Sequence, residues 1–113
     1  MSREVQKAIK AYNLKLVHTG SLSNVPNDRY IRSTNCFYVN SLNKDLTEEK
    51  FVMVLNHFES SGVWTTYETP YVDFKTAKEI YQKEHWRRLW DSSHLFYDDG
   101  IDVVHLLLNK ETE

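Results

Sequence analysis

Cysteine, glycine and proline are scarce in this chain: one Cys, three Gly and two Pro among 113 residues. A single thiol, Cys36, excludes an internal disulfide and a cysteine-rich zinc site, so the fold does not depend on an oxidising compartment. So few glycines supply no phosphate-cradling loop, and no Ser nucleophile elbow occurs. No apolar run approaches the length of a membrane span, and the opening MSREVQKAIK lacks the apolar stretch of a signal peptide. The expected location is therefore cytoplasmic, with no membrane partner. Positive charge is not in surplus either. A net charge of −2 confines any basic footprint to a local patch.

Aromatic residues, by contrast, are plentiful, with three Trp, seven Tyr and five Phe. Such side chains dominate cores and are enriched at interfaces. The length suits one domain over residues 1–113, large enough for a hydrophobic core without staples.

Periodicity predicts three helices. Val5, Ala8, Ile9 and Tyr12 recur at i, i+3, i+4 and i+7, with Ser2 as cap, giving a helix over 2–13. Thr47 followed by Glu48 and Glu49, with Phe51, Val54, Leu55 and Phe58 on one face, predicts a second over 47–60, stopped by Gly62. Asp73 caps a third over 73–91, preceded by Pro70. Short alternating runs predict strands after Asn13, between Arg29 and Asn40 and from Val63 to Glu68, with a polar loop over 20–28. Residues 94–108 fit a hairpin about Asp99 and Gly100, with a type I′ turn. A closing helix competes, because Ile101, Val104, His105 and Leu108 are also helically spaced. The fold class expected is α+β, with a mainly antiparallel sheet of about five short strands.

The third helix is the most informative element. Phe74, Ala77, Tyr81, His85 and Leu89 form its core stripe, whereas Trp86 and Trp90, spaced i, i+4, fall beside Lys75, Lys83 and Arg87. Arg88 lies nearer the core stripe, with Glu84 as an ion-pair partner. Two readings of the Trp pair stay open. Both rings can pack in the core, or they can form an exposed patch in which Trp86, Trp90, Arg87, Lys83 and Lys75 meet a partner, with Tyr67 or Trp64 adjoining.

Other constellations are weaker. The five histidines at 18, 57, 85, 94 and 105 show no HExxH or HxH spacing, so no metal and no cofactor are expected. Asp98, Asp99 and Asp102 match turn chemistry rather than a calcium loop. The segments LVHTGS and RSTNCFYVN resemble the opening of ADP-ribosyltransferase domains over about twenty residues. That resemblance implies NAD held by His18 with Tyr38 and Ser33, and Glu68 as catalytic acid. The chain is short for that fold and poor in loop glycine.

The function expected is non-enzymatic protein binding through the aromatic-basic helix. Accessory proteins of phages and mobile elements, which inhibit or redirect a host enzyme by steric occlusion, share this character. The alternatives are a nucleic-acid accessory protein using the same helix, and a small NAD- or nucleotide-using transferase around His18. An exposed Trp pair also suits a homodimer.

Overall fold

Helical spacing of Val5 and Ala8 produces α1, Arg3–Ala11, in which both are buried. It ends at Asn13, whose φ of 54° is left-handed. There the Leu14 N–H donates to the Ile9 carbonyl at 2.9 Å and the Asn13 N–H to that of Lys10 at 3.4 Å. This paired closure is the Schellman end, in which Asn substitutes for glycine. The computed structural model describes residues 3–21, 29, 32, 33 and 36–108. The Ser2 cap and the loop over 22–28 lie outside them.

Six strands follow: β1 (Lys15–Ser21), β2 (Cys36–Tyr38), β3 (Phe51–Phe58), β4 (Val63–Glu68), β5 (Ser92–Asp98) and β6 (Val103–Leu107). A second helix, α2 (Phe74–Glu84), separates β4 from β5. The sheet order is β1-β4-β3-β5-β6-β2. Every neighbouring pair is antiparallel except β2 and β6, which are parallel. The fold is thus α+β, with a mixed sheet of six strands and two α-helices among the described residues.

The helix expected over 47–60 is instead β3, in the middle of the sheet. Phe51, Val52, Met53, Val54 and Leu55 are all fully buried. Phe51, Met53 and Leu55 join the clusters that include α1 and α2 residues, while Val52 and Val54 pack with Phe96 and Val103 in another cluster. Five consecutive apolar residues suit a strand covered on both faces; a surface helix would leave part of the run in water. Thr47 caps nothing. Its N–H and hydroxyl both donate to Asp45 Oδ1, at 2.9 and 2.6 Å. Gly62 does adopt positive φ, 89°, but in the β3–β4 hairpin rather than at a helix end.

The β5–β6 hairpin forms, and no helix closes residues 101–108. Asp98 pairs with Val103, so four residues make the connection, not the two of a type I′ turn. Asp99 Oδ1 accepts from the N–H groups of Ile101 and Asp102 at 2.9 and 2.7 Å. These bonds hold its carboxyl down to about 2. Of the strand expected between Arg29 and Asn40, Cys36–Tyr38 forms β2 and Arg29 and Arg32 are helical, while residues 30, 31, 34 and 35 lie outside the described residues. Before it, Arg29 is buried among Glu68, Tyr71 and Asp98: its guanidinium pairs with Glu68, donates to Tyr71 Oη at 2.7 Å and lies 3.2 Å from Asp98.

Candidate binding face at the end of the second helix

Asp73 caps α2 as expected, its carboxylate accepting from the Thr76 N–H at 3.2 Å. Ala77 is fully buried on the sheet. The helix ends at Glu84 rather than Asp91, and the chain continues through i→i+3 turns, Arg87 N–H to Glu84 O and Trp90 N–H to Arg87 O. Glu84 explains the stop. Its buried carboxylate accepts from Trp90 Nε1 at 2.9 Å, Arg87 at 3.2 Å and Tyr12 Oη at 3.4 Å. A continued helix would carry Trp90 past that acceptor; the turns bring it back beneath the helix end, edge-on to Tyr67 and His57. Burial, then the Glu84 charge, pushes the Tyr12 hydroxyl upward.

The Trp pair is therefore split. Trp90 is 6% exposed and belongs to the core, whereas Trp86 is 79% exposed. Tyr67, at 3% exposure, is core as well. Trp64 packs against Phe58 instead, 5.1 Å between ring centres. Arg87, not Arg88, makes the ion pair with Glu84.

Beside Trp86 lies a cleft of about 560 Å³ lined by Tyr38, Tyr81, Gln82, His85, Trp86, Leu107 and Leu108. One wall is the end of α2, where His85 stacks on Tyr81 at 4.6 Å and meets Trp86 edge-on at 4.9 Å. Ser93 Oγ, 3.0 Å from His85 Nδ1, fixes that ring. The other wall is the parallel pair β2 and β6, which sets Tyr38 beside Leu107, both exposed. No acidic residue lines this cleft. The volume is within the roughly 300–1,000 Å³ range of ligand pockets, and its lining is mainly apolar with a few polar groups.

The expected basic residues separate. Lys83 lines a second groove, between α2 and the end of α1 with Tyr12, and Arg87 turns toward Glu84. Lys75 stays exposed, seven residues before Gln82 on the same helical stripe. Lys78, not singled out by sequence, sits between them, three before Tyr81 and four before Gln82. That signal was present in the spacing.

The residues of the NAD-type reading are not gathered. His18 is on β1 and Tyr38 on β2, the two outer strands. Five interstrand steps of about 4.8 Å put them roughly 24 Å apart. Glu68 pairs with Arg29. Ser33 donates its N–H to the Arg29 carbonyl at 2.7 Å.

One contact escaped sequence reasoning. His94 Nδ1 and His105 Nε2 are 3.3 Å apart across β5 and β6, with His105 stacked on Phe96 at 4.9 Å. A hairpin register placing Phe96 opposite His105 is what brings them together. Burial, then the neighbouring His105 and His85, lowers His94 to about 4, and burial lowers His105. Among the described residues no three His, Cys, Asp or Glu side chains are arranged to hold a metal ion. Nor is any helix among them long and apolar enough to cross a membrane. Comparison with protein-family models, curated proteins and solved structures finds no match.

Proposed function

We propose that this is a non-enzymatic binding protein that docks another protein on the cleft at the end of α2 and blocks that partner sterically. One observation supports the reading above the others: Trp86, 79% exposed, stands at the mouth of an apolar, aromatic-walled cleft. A large ring kept in water beside such a cleft is the kind of anchor on which binding energy concentrates. Tyr38 and Leu107 extend the same surface, and His85 is held rigid behind it by Tyr81 and Ser93. Rigid anchors lose little freedom on binding. An accessory protein that inhibits or redirects a host enzyme is the setting such a blocking surface suits.

The test is the Trp86→Ala protein. Because the ring is exposed, stability should stay within about 0.5 kcal/mol of the parent by urea denaturation. Affinity for a co-purified partner, measured by calorimetry, should fall by about 2 kcal/mol or more, some thirtyfold. An unchanged affinity would overturn the reading.

A further inference from the structure

We infer that the cleft takes one large apolar side chain, aromatic or leucine-like, from an acidic peptide segment that lies along the Lys75–Lys78 stripe of α2. This rests on the cleft being the docking face. The apolar half of the inference comes from the walls. Tyr38, Tyr81, Leu107 and Leu108 offer rings and branched aliphatics, and the space of about 560 Å³ admits a whole side chain with some flanking backbone. A charged head group placed there would be desolvated against apolar walls that offer it no opposite charge.

The acidic half comes from the charges around it. No carboxylate lines the cleft, and Glu84, the nearest acid on the helix, is fully buried and already accepts three hydrogen bonds. Lys75 and Lys78 lead along one helical stripe to Gln82 at the cleft, two turns or about 10 Å from Lys75, while Glu79 beside them lines the second groove. An extended segment anchored in the cleft meets these cations along one flank, which favours Asp and Glu there and speeds encounter.

The same charges argue against a second copy of this chain. An isologous pairing whose two-fold axis crosses the Lys75–Lys78 stripe would set these cations against their own images and leave each repelled by the other. An acidic peptide satisfies both the walls and the stripe.

The experiment uses the full chain and fluorescein-labelled decapeptides with Trp, Leu or Ala at the centre and Glu, Ser or Lys in the flanks, read by fluorescence polarisation. Glu-flanked Trp and Leu peptides should bind at least tenfold more tightly than Glu-flanked Ala or Ser-flanked Trp peptides, and Lys-flanked peptides should not bind. Lys78→Glu and Trp86→Ala should each cut the best affinity at least tenfold, while Lys7→Glu, the same charge change on exposed α1, should not. Binding that depends on Trp86 but not on flank charge overturns the acidic partner while leaving the docking face. If no peptide binds in a Trp86-dependent way, this inference falls, and the docking face is judged by the partner complex alone. If a 20-nucleotide oligo-dT binds more tightly than every peptide and loses affinity in Trp86→Ala, the site belongs to nucleic acid and the inference is overturned.

Discussion

At Glu84 a fully buried carboxylate joins α1, the end of α2 and the turn beyond it, through Tyr12, Arg87 and Trp90. Removing it leaves three donors facing a void. Glu84→Ala should therefore cost about 3 kcal/mol or more in urea denaturation, whereas Trp90→Phe, which keeps a ring and loses one donor, should cost about 1–2 kcal/mol. If Glu84→Ala proves as stable as the parent, the carboxylate does not organise the helix end. Little of this was legible beforehand, because a glutamate on a polar helix looks solvated until the residue six places on turns back to it. The i, i+4 spacing of Trp86 and Trp90 was legible but misled, since it presumes that the helix continues between them.

Within the β5–β6 hairpin, the burial of His94, with His105 beside it, makes stability depend on pH. The folded pKa of His94, about 4, lies below its ordinary 6.5, so as pH falls below about 6.5 the unfolded chain takes up the proton first. Stability is full above that range, declines as pH approaches 4, and loses no more from this group once both states are protonated. The melting temperature should follow this course between pH 7 and 4, and His94→Gln should flatten it; an equally steep decline in the variant would exclude buried His94 as its source. Asp99, also depressed, contributes in a lower window, its stabilisation present above about 4 and lost toward 2. Among the elements, α1, the hairpin and the Asp73 cap were readable because their signals are local. β3 was not. Phe51, Val54, Leu55 and Phe58 satisfy helical spacing while Val52 and Met53 complete an unbroken apolar run, and only the burial of both faces in the folded domain decides between the two.

Across the whole molecule, the α+β class followed from local pattern, but strand order did not, because pairing joins residues distant in sequence. That order separates His18 from Tyr38 and brings Tyr38 to Leu107 and the helix end. It also sets Arg29 between Glu68 on β4 and Asp98 on β5, with Tyr71 donating to Asp98 at 3.1 Å while accepting from Arg29. Arg29→Ala should destabilise the fold by about 3–5 kcal/mol, since it leaves Asp98 buried without that cation, and Arg29→Lys should recover only part, lacking the planar fork. A thermal shift under 1 °C for Arg29→Ala would show that the network adds nothing.

Tyr38 belongs to an early segment, yet its strand finds its neighbour only in β6, the last strand described. A parallel pairing across most of the chain has no short turn to start it and gains nothing until the late strand exists. On a ribosome, the opening helix and the central hairpin can begin to pack while synthesis continues, but the wall that Tyr38 shares with Leu107 cannot be built before β6 has left the exit tunnel. The cleft is thus completed only once β6 is free to pair, later than the helix and hairpin that form before it.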